Sequence, residues 1–200
     1  ATVTRPAAQP APRRMTLGAV RTGRRDVPDR VLLHGIEGVG KSTFGAEAPS
    51  PVFIAPEEGV SHLDVASFPQ PETFDDVLDC VRTLVEDAHP YKSVILDTLD
   101  WIEPLVFQSI CRRERWKDIE EPGYGKGYAL VPDEWRKLLF LLEQLQAKKG
   151  MDVIFLAHTS IGTFSNPRGP DFSRYEMKLH KRSALLKEWT RNNLFAMHEE

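Results

Sequence analysis

A doubly wound α/β fold, with a mostly parallel sheet and helices on both faces, is predicted by three features of the sequence. Short β-rich apolar runs alternate with segments of helical period, an order that threads parallel strands through crossover helices. Each apolar run ends in a turn or a polar residue, at the edge where open parallel sheets gather ligands. Between the first run and the first helix stands Gly35-Ile36-Glu37-Gly38-Val39-Gly40-Lys41-Ser42, which satisfies the pattern GxxxxGK[S/T] at every fixed position.

The elements follow in order. Residues 1–28 are rich in Ala, Pro, Arg and Thr without an apolar period, so a flexible arm is expected there, with one domain over 29–200. Val31-Leu32-Leu33 reads as a buried strand that begins near Arg30, and Ser42 to Ala48 as a short helix stopped by Pro49. Val52-Phe53-Ile54-Ala55 is a second strand, with Pro56-Glu57-Glu58-Gly59 as its exit. Thr73 with Asp76 three residues on opens a helix whose Phe74, Val77, Leu78, Val81, Leu84 and Val85 share a face. Ser93-Val94-Ile95-Leu96 is a third strand that ends at Asp97, and a long helical segment runs from there to about Asp118.

Three glycines and a proline forbid regular structure over 119–131, where a mobile loop is expected. Pro132-Asp133-Glu134 starts the next helix, which carries Trp135, Leu138, Leu139, Leu142 and Leu145 on one face and stops at Gly150. Val153 to Ala157 is a fourth strand that ends at His158. A polar loop is expected over 159–176, then a helix near 183–191 and a last strand near 193–196. The chain stops directly after that strand, so a further C-terminal portion is expected.

Two hundred residues with 41% apolar composition suffice for one such domain. The net charge of −3 excludes a polycation, although residues 1–30 carry +5 and the remainder −8. Cys80 and Cys111 lie far apart without a CxxC, which points to neither a zinc site nor a disulfide framework. No apolar run approaches the length of a bilayer span. A cytoplasmic protein with no membrane partner is expected.

The glycine-rich stretch names its ligand chemically. Glycines let the backbone curl until its N–H groups converge on a phosphate, and Lys41 with the helix start adds positive charge. The expected nucleotide-binding set is Gly35, Glu37, Gly38, Val39, Gly40, Lys41, Ser42 and Thr43, with ATP as ligand and Ser42 as a ligand of Mg²⁺. Asp97 closes an apolar strand about fifty residues later, where a carboxylate would order the Mg²⁺ through water. Thr98 follows it, so a catalytic Glu beside that Asp is absent and water must be activated from elsewhere. Glu57, at the end of the neighbouring strand, is the best-placed base, with Glu58 its rival.

With these motifs the chain resembles the RecA-like ATPases, most closely the short phage and prophage proteins with a bare RecA core that act in single-strand annealing. The resemblance runs from about residue 15 to the end. It rests on Gly35 to Ser42, Phe53-Ile54-Ala55-Pro56-Glu57, Ile95-Leu96-Asp97-Thr98, Gly125-Lys126-Gly127-Tyr128 and Phe155-Leu156-Ala157-His158. It implies that Lys41, Glu57, Asp97 and His158 carry catalysis, with His158 as the polar residue that senses the γ-phosphate and passes its presence to a DNA loop. The alternative for His158 is a buried ring hydrogen-bonded to backbone.

The resemblance also implies two single-strand-binding loops. The first would offer Tyr124, Lys126 and Tyr128, and the second Arg168, Arg174, Lys178 and Lys181, a pattern suited to stacking beside phosphate neutralisation. Lys178 or Lys181 is the nearest match to a lysine that completes a neighbouring subunit's ATP site. The partners implied are single-stranded DNA, further copies of the chain in a ring or filament with shared ATP sites, and a single-strand-binding protein. Two other readings remain: an accessory ATPase, a loader or packaging partner whose basic loops grip protein, and a small-molecule kinase. The last lacks its arginine-rich lid, because Arg112-Arg113-Glu114-Arg115 falls within a helix.

Overall fold

The computed structural model describes residues 16–20, 22–23, 27–57, 59 and 63–198. Most of the arm expected over 1–28, and Glu58, lie outside them. The elements are β1 (Arg30–Gly35), α1 (Lys41–Ala46), β2 (Pro51–Ile54), β3 (Ala66–Ser67), α2 (Phe74–Glu86), β4 (Ser93–Asp97), α3 (Leu99–Glu114), α4 (Val131–Lys149), β5 (Asp152–Phe164), β6 (Phe172–Met177), α5 (Leu185–Trp189) and β7 (Asn192–Ala196).

The sheet runs β3-β2-β4-β5-β1-β7 with every neighbouring pair parallel, while β6 pairs antiparallel with β5 off that path. The expected doubly wound α/β architecture is therefore present. All five residues of β4 are buried, as a strand covered on both faces requires. α2 begins in a complete capping box: Thr73 Oγ1 accepts from the Asp76 N–H at 3.2 Å, and Asp76 Oδ2 accepts from the Thr73 N–H at 2.8 Å. α4 ends at Gly150, whose φ of 68° is the left-handed cap that glycine adopts without strain.

The two faces are unequal. On one, Leu32, Val52, Leu96, Val153 and Phe155 meet the apolar sides of α2, α3 and α4, with Trp135 fully buried and its indole N–H donating to Ser183 Oγ at 2.9 Å. The other face holds Leu33, Phe53, Ile95, Ile154 and Leu156, and the helix packed against it is the six-residue α1. α1 reaches that face because position 45 is glycine: a Cβ there would stand 2.9 Å from Ile95 Cγ2 and 3.2 Å from Phe53 Cζ.

Two expectations need correcting. Residues 159–176 are not a plain polar loop but a β-ribbon: β5 continues to Phe164, turns, and returns as β6. The turn is closed by Asn166, whose Oδ1 accepts from the Arg168 N–H at 3.0 Å. The ribbon escaped the apolar-run criterion because most of its residues face solvent, so neither strand shows a buried stripe. The helix after Asp97 also stops early, at Glu114, where Arg115 takes the left-handed conformation.

Candidate functional site: a nucleotide cavity at the strand ends

A cavity of about 900 Å³ opens at the C-terminal edge of the sheet, lined by Glu37, Gly38, Gly40, Lys41, Ser42 and Thr43 from the loop and α1, Glu57 and Gly59 after β2, Asp97 to Pro104 in part, His158 of β5, and Lys178. Strand register assembles it. Gly35 lies beside His158 and Asp97 beside Leu156, so β5 sets His158 between the glycine-rich loop and the end of β4. The loop turns sharply because Gly38 and Gly40 hold φ of 75° and 91°. Gly35 is needed for another reason: a Cβ there would come within 2.7 Å of the Ala196 carbonyl and 2.9 Å of Val39 Cγ1.

Lys41 is buried, and its Nζ donates to the carbonyls of Ile36 at 2.9 Å and Gly35 at 3.3 Å. Burial draws its pKa down, while Asp97, Asp100, Glu37 and Glu57 pull it back up. A cation surrounded by four acids in a cavity lined with loop backbone suits a polyphosphate with a divalent ion.

Asp97 is 3% exposed, and its Oδ2 is buried without a hydrogen-bond partner among the described residues. Burial raises its pKa, and the Ser42 hydroxyl and the Lys41 ammonium offset part of that. A carboxylate oxygen so placed fits Mg²⁺. A hydrated ion shared with phosphate oxygens needs only one or two protein oxygens, which Ser42 and Asp97 offer. When bound, the ion would neutralise charge that develops on the β- and γ-phosphates.

Glu57 stands in the same cavity. Burial first, then repulsion from Asp97, raises its carboxyl above the ordinary range, while His158 works in the opposite direction. A carboxylate whose proton affinity is raised by its surroundings is a better base than one in water.

His158 is not the buried ring bonded to backbone that was its alternative. Its Nδ1 meets Asp100 Oδ2 at 2.8 Å, and its main-chain N–H donates to Asp100 Oδ1 at 2.9 Å. Asp100 went unrecognised in the sequence, as did the cavity-lining Trp101 and Glu103. The available signal was an acid in the first turn of the helix that leaves the Asp97 strand, since that turn starts at the ligand edge.

The residues expected to bind a single strand fall into separate settings. Tyr124 is fully exposed, on a loop with φ of 51°, and Lys126 beside it is exposed. Tyr128 is engaged within the protein: its ring stacks on His180 at 4.2 Å and 18°, meets Phe107 edge-on at 5.6 Å, and its hydroxyl donates to Glu120 Oε1 at 3.1 Å. Arg168 sits at the ribbon's turn. Arg174 lies on β6 over the Phe164 ring at 4.6 Å and pairs with Glu176. Lys178 lines the nucleotide cavity of its own chain, its main-chain N–H donating to the His158 carbonyl at 2.8 Å. Lys181 borders a second cavity of about 400 Å³ with His34, Arg174, His180 and Lys187.

A glycine-rich phosphate loop, a buried lysine and a carboxylate on the next strand but one, at the ligand edge of a parallel sheet, define a P-loop nucleotide-binding domain. Comparison with known families agrees: the chain belongs to a family described as AAA domain, whose model matches residues 28–197. A search of the curated proteins finds no match. Among the described residues no helix is long and apolar enough to cross a membrane.

Proposed function

We propose that the chain binds and hydrolyses ATP with Mg²⁺ and uses the nucleotide state to control binding of single-stranded DNA, in recombination or annealing of the phage type. The observation that carries this reading is the course of β5. One strand supplies His158 to the nucleotide cavity and then continues directly into the ribbon that bears Arg168 and Arg174. A change at the γ-phosphate would thus act on the root of the ribbon without an intervening loop.

In this reading the loop backbone and Lys41 hold the phosphates, Ser42 and Asp97 hold the ion, and Glu57 takes a proton from the attacking water. Tyr124 and Lys126 on one loop, with Arg168 and Arg174 on the ribbon, contact the strand, and further copies of the chain assemble along it. The test is the ATPase rate with and without single-stranded oligonucleotide. Stimulation by the oligonucleotide is expected, and an unchanged rate together with no binding would refute the DNA half of the proposal.

A second reading has its own support. Ile161 is 71% exposed, and Phe172 and Tyr175 about half exposed, so the ribbon also offers an apolar surface suited to protein. An accessory ATPase would use that surface in place of the basic residues. Binding that persists in high salt would favour it, because contacts to phosphate weaken steeply there.

A further inference from the structure

We propose that Asp100 is a positioning residue which fixes the ring and the tautomer of His158, so that Nε2 of His158 faces the nucleotide cavity as a hydrogen-bond acceptor and, together with Glu57, orients the attacking water. The inference rests on the ATPase reading above and adds a residue and a role to it.

Asp100 sits in the first turn of α3, three residues beyond Asp97, with its side chain 7% exposed. It grips His158 twice, at the main-chain N–H through Oδ1 and at Nδ1 through Oδ2. The first contact fixes the carboxylate against β5, so the second meets the ring in one orientation. An ionised carboxylate has only lone pairs to offer, and therefore Nδ1 carries the hydrogen. On a neutral imidazole Nε2 is then left with a lone pair.

A nitrogen lone pair suits an O–H donor and not a phosphate oxygen, which needs a donor itself. That argues against a neutral His158 gripping the γ-phosphate directly. Glu57 lines the same cavity as His158. Water has two hydrogens, and Glu57 and Nε2 are two acceptors for them. With both engaged, an oxygen lone pair is left to face the γ-phosphorus. On attack the water oxygen bonds to phosphorus and the bond to the β,γ-bridging oxygen breaks, with ADP leaving on its electron pair. One water proton passes to Glu57, and the hydrogen shared with Nε2 stays on the product phosphate.

Asp100→Asn keeps the shape but offers an N–H to Nδ1, which moves the ring hydrogen to Nε2 and removes the acceptor. Nitrogen-15 spectra of histidine-labelled protein, with the His158 signal identified by its loss in His158→Asn, should show the Nδ1–H tautomer in the parent and the Nε2–H tautomer in Asp100→Asn. In the same variant kcat should fall by about tenfold to a hundredfold, less than the loss of the general base itself because Nε2 orients the water and takes no proton, with KM and the affinity for a slowly hydrolysed ATP analogue unchanged.

An Nε2–H tautomer in the parent overturns the proposal. So does Asp100→Asn turning over at the parental rate, or a loss that falls on KM and affinity instead of kcat. A parent that hydrolyses no ATP would refute the ATPase reading and the water-orienting role with it, while the ring signals still decide whether Asp100 positions His158.

Discussion

The two halves of β5 contrast sharply. Val153 to Ala157 are buried; Val153 to Leu156 pair with β4 on one side and β1 on the other, Ala157 pairs with β1, and Val153, Phe155 and Ala157 are covered by the helical layer. From Thr159 to Phe164 the same strand pairs only with β6, and none of its residues is buried, with Ser160, Ile161 and Thr163 exposed. Side chains of the ribbon pack largely on one another, as where Arg174 lies over Phe164, or on the edge strand, as where Tyr175 stacks on Phe195 at 4.8 Å. His158 stands at the boundary. The inner half holds chemistry in place because close packing leaves it one conformation, and the outer half has few buried contacts to oppose movement.

Lys41→Ala, which removes the cation from the cavity that His158 lines, should weaken ATP binding by about 3 kcal/mol or more, as expected for lost hydrogen bonds to charged groups. Calorimetric titration reads this, and equal affinities would undermine the nucleotide assignment. Leu156→Ala should cost about 2 to 5 kcal/mol of stability by leaving a cavity, whereas Ile161→Ala, five residues further along the strand, should stay within about 0.5 kcal/mol. Chemical denaturation compares them, and similar losses would erase the contrast between the two halves. Glu57→Gln should slow hydrolysis by about a hundredfold with ATP binding intact; a variant that hydrolyses at the parental rate would send the search for the base elsewhere.

Smaller effects sharpen the outer half. Arg174→Ala should lower the slope of log affinity for single-stranded DNA against log salt by nearly one unit, as for one lost phosphate contact. Tyr124→Ala should weaken binding by about 1 to 3 kcal/mol at constant slope, as for one lost stacking contact. Tyr128→Ala should act differently, since it unseats the His180 ring within the protein.

The buried Glu103 gives a pH signature. Burial lifts its carboxyl above the ordinary 4.5 even though Ser183 and the His180 N–H favour the charged form. The folded state therefore holds this proton more tightly than the unfolded chain. Its contribution to stability falls as pH climbs from the ordinary value through the raised one, and the full penalty is present above it. Glu103→Gln should flatten that fall in the thermal midpoint, and a variant with the parental pH slope would contradict the assignment.

Where burial or backbone geometry dictates residue type, the sequence was readable. The glycines and Lys41 of the loop, the β4 run into Asp97, the Thr73–Asp76 capping box and the Gly150 stop all leave local patterns, and each stands where it was expected. The ribbon left none, because a strand pair solvated over most of both faces has no reason to alternate apolar with polar. Asp100 was hidden for another reason: its partner His158 lies 58 residues away, and only the adjacency of α3 to β5 brings them together. The recruitment of Lys178 to its own chain's cavity likewise depends on the ribbon's return beside His158.

The central claim, that nucleotide beside His158, at the boundary between the two halves of β5, governs what the outer half grips, is tested most directly by titrating labelled single-stranded oligonucleotide into the protein at several salt concentrations, with and without a slowly hydrolysed ATP analogue. Affinity should rise with the analogue and fall steeply with salt, and His158→Ala should bind both ligands yet lose the enhancement, since coupling between sites is reciprocal and needs a physical link. Equal affinity with and without the analogue, or no binding at low salt in either state, would contradict the account.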